Sequence, residues 1–175
     1  MNRTLIVEQL PGLRRYARAL TGDAWAADDL VQDTLERACA KWQLWVTGSD
    51  LRAWLFTLMH NIYANQRRAA KVALNSVNID DVEGELHAPA SSSDDRLDLS
   101  RGLQRLPADQ RAVLLLVALE DMSYEEAAKV LGIPMGTVMS RLSRARSRLR
   151  ELMEGAPAPS QRAPATSAPA LRLLK

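Results

Sequence analysis

The sequence predicts an all-α protein made of two small helical domains joined by a flexible acidic linker. Three observations carry that prediction. Apolar residues recur at helical spacing through most of the chain, and no stretch keeps the strict alternation of a strand. A length of 175 residues allows one domain or two small ones. Charge is partitioned: residues 71–100 hold two basic and seven acidic side chains, whereas residues 1–70 and residues 101–154 each hold nine basic and seven acidic ones. The net charge of +2 therefore hides basic helical blocks on either side of an acidic connector.

The first domain is expected over residues 3–71. Its first helix ends near Leu20, with Pro11 and Gly12 breaking or kinking it early. Thr21-Gly22 stops it, and Asp23 caps a second helix that extends to about Trp45. In that helix Leu30, Val31 and Leu35 face inward, while Asp29, Gln32, Asp33 and Glu36 share an outer face. Composition by itself makes this an ordinary solvated acidic face. Residues 46–50 form a loop, and Ser49 or Asp50 caps a third helix from Leu51 to about Lys71. Trp54, Leu55, Leu58 and Ile62 supply its apolar stripe. Asn61, Tyr63, Asn65, Arg67 and Arg68 lie off that stripe. Amides, an aromatic ring and arginines in one segment suit unpaired bases: Asn reads base edges, aromatics stack and Arg holds the backbone. All four tryptophans (Trp25, Trp42, Trp45, Trp54) fall in this half, where a small core needs bulky side chains.

Residues 72–93 read as a linker, with Asp80-Asp81, Gly84, Pro89 and the run Ser91–Ser93. A second domain follows over 94–153, with helices near 94–104, 107–120, 124–131 and 135–153. The stretch Ala112–Val117 is apolar nearly all round and should be the buried centre of this half. Residues 154–175, rich in Ala, Pro and Ser, read as a disordered tail.

The most informative segment is MSYEEAAKVLGIPMGTVMSRLSRARSRLR, residues 122–150. Ser123 and Glu126 are spaced as a capping box. Gly132 stops the helix they start, and Pro134 suits the first turn of the next. Val138, Leu142, Ala145 and Leu149 mark one apolar face of that last helix. The other face carries Thr137, Ser140, Arg141, Ser143, Arg144, Ser147 and Arg148, and from Arg141 to Arg150 there are five arginines and no acid. A helix-turn-helix whose second helix lies in the major groove has this pattern, with short polar groups near base edges and arginines reaching phosphates or guanines.

The composition also excludes classes. A single cysteine, Cys39, rules out an internal disulfide and is expected to be a small core residue. Two distant histidines and one cysteine give no metal-ligand spacing. His60 beside Asn61 has no nucleophile at catalytic spacing, so a plain surface or satisfied histidine is expected. No catalytic residue, metal or cofactor is expected, and no small-molecule substrate. No apolar run suits a signal peptide or membrane insertion, so a cytoplasmic protein is expected.

Three segments together resemble the extracytoplasmic-function (ECF) sigma factors, the minimal sigma-70-type family. They are DDLVQDTLERA, LRAWLFTLMHNIYANQRRA and LPADQRAVLLLVALEDMSYEEAAKVLGIPMGTVMSRLSRARSRLRE, in that order, with an acidic linker between the second and third. The resemblance implies an RNA polymerase sigma factor that brings core enzyme to selected promoters and helps to melt them. The first domain would be sigma region 2. Asp29, Gln32, Asp33 and Glu36 would dock on the clamp helices of the β′ subunit, with the β subunit a further contact. Trp45 to Leu51 would receive a flipped base of the −10 element. Asn61 and Asn65 would lie near the melted strand, and Arg67 and Arg68 near DNA backbone. The second domain would be region 4, reading the −35 duplex through Thr137, Met139, Ser140, Arg141, Ser143, Arg144 and Arg148. An anti-sigma factor is an expected partner beside core polymerase and promoter DNA. Met139 departs from the family, where Arg or Lys is frequent. Met offers only apolar contact, for example to a thymine methyl. Two alternatives stand beside this reading: a sigma mimic that titrates an anti-sigma factor, and an ordinary helix-turn-helix regulator. A mimic should lose basic DNA-facing residues, yet Arg141 and Arg144 are present. An ordinary regulator leaves the acidic face of the second helix unexplained.

Overall fold

In the computed structural model, residues 3–45, 50–76 and 94–154 are described. Residues 77–93 of the expected linker, residues 46–49 of the loop and the tail beyond 154 lie outside the described residues; residues 72–76, expected in the linker, are helical instead. Helix α1 (Arg3–Thr21) continues through Pro11 without a break. Pro11 is exposed, so the backbone hydrogen bond it forfeits falls on the water side. Gly22 ends the helix with φ +75°, and its amide donates to the Arg18 carbonyl at 2.9 Å. Glycine is required there twice over, because a Cβ would stand 2.5 Å from Gln104 of the second half.

Helix α2 (Ala24–Ala40) begins at Asp23, whose Oδ1 accepts from the Ala26 amide at 2.7 Å. It stops five residues before the expected end near Trp45. A short 3-10 turn, Trp42–Leu44, follows, and it brings Trp42 to 4.9 Å from Trp45 and 6.4 Å from Trp54 between ring centroids. Packing three indoles outweighs one more turn of α-helix. Trp25 takes no part in that cluster and is 87 % exposed. Cys39, expected in the core, is also exposed; Ala38 takes the inward position.

Helix α3 (Leu51–Ser76) starts with Asp50 Oδ1 accepting from the Ala53 amide at 3.1 Å, and it outruns the expected end at Lys71. The second half holds α4 (Asp94–Gln104), α5 (Ala108–Ala118), α6 (Tyr124–Leu131) and α7 (Met135–Glu154). As expected, α5 is the buried centre, with Arg111 to Leu116 all buried. It packs on α6 and α7, while α4 covers α7.

The two halves share one continuous hydrophobic core. Helix α3 lies against α6, and α1 lies against α4 and α5. Polar contacts also cross the boundary. Glu120, just past α5, accepts from Arg15 Nε at 2.9 Å and from Arg52 Nη2 at 3.1 Å. Arg111 Nη2 donates to Tyr63 Oη at 3.1 Å, and Gln104 Nε2 donates to the Ala19 carbonyl at 3.0 Å.

Candidate nucleic-acid interface

The helix-turn-helix forms as its local signals dictate. The Ser123 amide donates to Glu126 Oε2 at 2.7 Å, and the Glu126 amide donates to Ser123 Oγ at 3.2 Å. This pairing holds the Glu126 carboxyl below the usual carboxylate range. Gly132 closes α6 in the left-handed conformation, φ 63° and ψ 35°. Pro134 sits just outside α7 rather than in its first turn, and its carbonyl accepts from the Thr137 and Val138 amides at 2.9 and 3.1 Å.

Val138, Leu142 and Ala145 of α7 are buried, with Leu149 half-buried on the same side. The remaining arc is broad and divides in two. Thr137, Arg141 and Arg148 lie along one edge, and Arg141 Nη2 is held 3.1 Å from Asp109 Oδ2 at the start of α5. Met139 and Ser143 lie along the other edge. Ser140, half-buried, and Arg144, exposed, fall between the two edges. Met139 and Ser143 join Tyr124, Leu142, Arg146, Ser147 and Arg150 around a shallow cavity of about 340 Å³. Tyr124, Arg146 and Arg150 were not singled out from sequence; for Arg146 and Arg150 their helical phase with Met139 was the available signal, whereas Tyr124 comes from α6 and gave none.

Helix α3 presents three faces. Leu55, Leu58, Met59 and Ile62 are buried against the first half. Arg52 and Tyr63 reach the second half, while Phe56, between them in phase, meets the Tyr16 ring of α1 edge-on at 5.2 Å between centroids. Tyr63, expected off the apolar stripe where it could stack on a base, is instead buried, bonded to Arg111 and close to the Leu20 carbonyl at 3.4 Å. Asn61, Asn65 and Arg68 are exposed on the third face, where Arg68 Nη1 donates to Asn65 Oδ1 at 3.3 Å. Arg67 does not join them; its guanidinium lies 5.9 Å from the centre of the Tyr63 ring. Trp45 is half-buried beside Trp42, and residues 46–49 of its loop lie outside the described residues.

On α2, Asp29, Gln32 and Glu36 are exposed and Asp33 is half-buried. Gln32 Nε2 donates to Glu36 Oε1 at 3.0 Å, and Gln66 of α3 donates to Asp33 Oδ2 at 3.1 Å. Trp25 lies one turn before Asp29 on the same face, so the acidic stripe begins at an uncovered indole.

His60 is half-buried on α3, near Asp109 and Arg141 of the second half, and its Nδ1 has no hydrogen-bond partner among the described residues. It is thus neither the surface nor the satisfied histidine expected. Burial lowers its pKa first of all; Asp109 opposes this and Arg141 adds to it. A histidine with a depressed folded pKa contributes full stability above its unfolded value of about 6.5 and loses it as pH falls. The wild-type Tm should therefore drop between pH 7.5 and 5.5, and His60→Gln should flatten that drop. Parallel slopes for the two proteins in thermal melts would reject a role for His60.

Comparison with known proteins decides the family. Residues 6–60 match the family model described as the Sigma2 domain of PhyR, and residues 96–149 match Sigma-70, region 4. The chain is 37 % identical over 154 residues to the ECF RNA polymerase sigma factor EcfG of Rhodopseudomonas palustris, covering 85 % of this chain and 82 % of that one. It is 40 % identical over 156 residues to the ECF sigma factor SigL of Mycobacterium tuberculosis, covering 85 % and 86 %. The chain belongs to the ECF sigma factors. Among solved structures, this sigma factor is similar to RpoE of Bartonella quintana, crystallised with the anti-sigma factor NepR, at 38 % identity and a TM-score of 0.74. That match covers 87 % of this chain and 96 % of RpoE. The anti-anti-sigma factor PhyR of the same organism shares the fold, at 20 % identity, and the sigma factor spans half of it. As an ECF sigma factor, the protein directs RNA polymerase to promoters and initiates transcription.

Proposed function

We propose that the two halves divide that work between three surfaces. The outer face of α2 docks on core polymerase. It offers Asp29, Gln32, Asp33 and Glu36 to the β′ clamp helices, and Trp25 continues the same face as an apolar anchor. Tryptophan is enriched among the residues that dominate interface energetics, and an isolated exposed indole beside a charged stripe suits that role. The third face of α3, with Asn61, Asn65 and Arg68, faces the melted −10 strand. Trp45 and its loop receive a flipped base, at an unstacking cost of about a few kcal/mol that a preformed pocket can offset. Arg67, on a different face, contacts backbone only if the halves separate. Helix α7 reads the −35 duplex through Thr137, Met139, Ser140, Arg141, Ser143, Arg144 and Arg148. Arg146 and Arg150 add positive charge along the Met139 edge. The proposed regions are region 2 over 3–71, linker 72–93, region 4 over 94–153 and tail 154–175, with α3 carrying on five residues into the linker and α7 ending at Glu154. We read the protein as a cytoplasmic DNA-binding factor without catalytic activity or cofactor; among the described residues no helix is long and apolar enough to cross a membrane. An anti-sigma factor is a further partner, by analogy with RpoE and NepR.

The observation that supports this reading best is the segregation of the faces. Acidic α2, amide-bearing α3 and arginine-rich α7 each leave a distinct exposed surface that the core does not use. Run-off transcription with purified core polymerase tests it, and failure to initiate from any promoter in a genomic library would defeat it. Met139 supplies the specificity arm. Met139, 45 % exposed, reads by apolar contact, so Met139→Arg should exchange a thymine preference for guanine in the −35 element. The discrimination gained should be about 1–3 kcal/mol, read by binding selection on randomised duplexes. An unchanged selected sequence would place Met139 outside the readout.

A further inference from the structure

Glu120 is a buried carboxylate, 1 % exposed, in a sigma factor whose two halves must act far apart. It belongs to the second half, at the end of α5. Both of its cationic partners belong to the first half: Arg15 on α1, 53 % exposed, and Arg52 on α3, 38 % exposed. Arg52 also donates to the Glu120 carbonyl, and its guanidinium lies 5.6 Å from the centre of the Phe56 ring. Gly12 leaves the space for this group, since a Cβ there would stand 3.0 Å from Glu120 Oε2. Beside it, Arg111 is 4 % exposed, donates to Gln104 Oε1 in its own half and reaches across to Tyr63. A carboxylate is taken out of water at large cost unless charged partners meet it. Here those partners exist only while the halves are together. The arginines keep much of their hydration either way, so the dependence falls on Glu120.

The closed arrangement does not fit a promoter. The −10 and −35 elements lie roughly 25 base pairs apart, on the order of 85 Å at 3.4 Å per step. In the closed arrangement α3 and α6 touch. Reading both elements at once requires this contact to open.

We propose that Glu120, clamped by Arg15 and Arg52, is an intramolecular latch: the sigma factor closes on itself, and core polymerase and promoter bind by competing with that closure. This rests on the assignment of the two halves to two promoter elements. A binding-competent form that is only fractionally populated weakens apparent affinity by that fraction. The latch therefore sets how much core enzyme is needed for initiation, and any segment that caps Glu120 from outside would reset it.

The experiment uses the full chain. A donor–acceptor dye pair is placed on Cys39, exposed on α2, and on Glu151→Cys, exposed on α7. Wild-type protein should show high energy transfer. Glu120→Lys places a cation between two others and should lower transfer. Arg15→Ala with Arg52→Ala should do the same by stranding the carboxylate, with changes confined to partly exposed positions; this pair decides the matter if Glu120→Lys fails to fold by circular dichroism. The charge exchange Glu120→Arg with Arg15→Glu and Arg52→Glu should restore transfer. Opened variants should bind core polymerase about tenfold more tightly in apparent Kd. Low transfer in the wild type, or wild-type transfer in the folded latch variants, overturns the latch. Opening without tighter core binding overturns the competition. Polymerase docking is judged separately, because a failure of the α2 assignment leaves the transfer data unaffected.

Discussion

Asp33→Arg combined with Glu36→Arg should remove most of the affinity for core polymerase while the helices stay intact. Both residues lie on the outer face of α2, which packs on α1 and α3 with its other side. Asp33 loses one exposed hydrogen bond, from Gln66, and Glu36 loses one from Gln32. Such surface contacts contribute at most about 1 kcal/mol each. An arginine at position 36 also falls near the C-terminal end of α2, where the helix dipole favours positive charge. Against that small cost stands the reversal of two charges at a complementary interface. Like charges brought together there cost several kcal/mol, and even 2 kcal/mol weakens binding about 30-fold. Circular dichroism and co-purification separate the two effects. A folded double variant that co-purifies with core enzyme as the wild type does would remove α2 from the docking surface.

Asn61→Ala with Asn65→Ala should block open-complex formation at nearly unchanged stability. Both side chains are exposed, one turn apart, on the face of α3 turned away from both halves of the core. Asn65 gives up its contact with Arg68, which is exposed and replaceable by water. Base-edge hydrogen bonds are worth about 1–3 kcal/mol each, so losing two should reduce productive melting by roughly 30-fold or more. Permanganate reactivity of thymines near the −10 element reports the melted strand. A template with a pre-melted bubble locates the defect: failure to recognise the exposed strand persists there, whereas failure of strand opening is largely rescued. Normal transcription from both templates would rule out these two residues as −10 readers.

What the sequence made legible is what local chemistry decides. Asp23, the Ser123–Glu126 pair and Gly132 mark helix ends through contacts within three or four residues, and the structure places each as read. The family resemblance rested on the same segments, because their order and spacing survive wherever those helices are kept. Long-range partners were not legible. Tyr63 reads as a stacking aromatic because nothing near it in sequence buries it; Arg111, 48 positions away, does so. Glu120 reads as one acid among many until Arg15 and Arg52 converge on it from two helices. The early end of α2 is similar, since Trp42 turns out of the helix to meet Trp54. Cys39 and Trp25 escaped for a different reason. Residue type predicts burial only on average, and a helix one position out of phase exposes what composition would hide.

The three faces of α3 have an evolutionary consequence. Each residue on this helix answers to one neighbour: the rest of its own half, the other half, or nucleic acid. Substitutions among homologues should therefore sort by helical phase. Positions 55, 58, 59 and 62 should tolerate only changes that conserve volume. Positions 52 and 63 should vary in step with 120 and 111, since a lost charge or hydroxyl on one side strands its counterpart. Positions 61, 65 and 68 are free of both constraints, and should drift with the promoters that each paralogue serves. A single helix would then carry three separate records of descent, and paralogues could acquire new regulons without disturbing the other two.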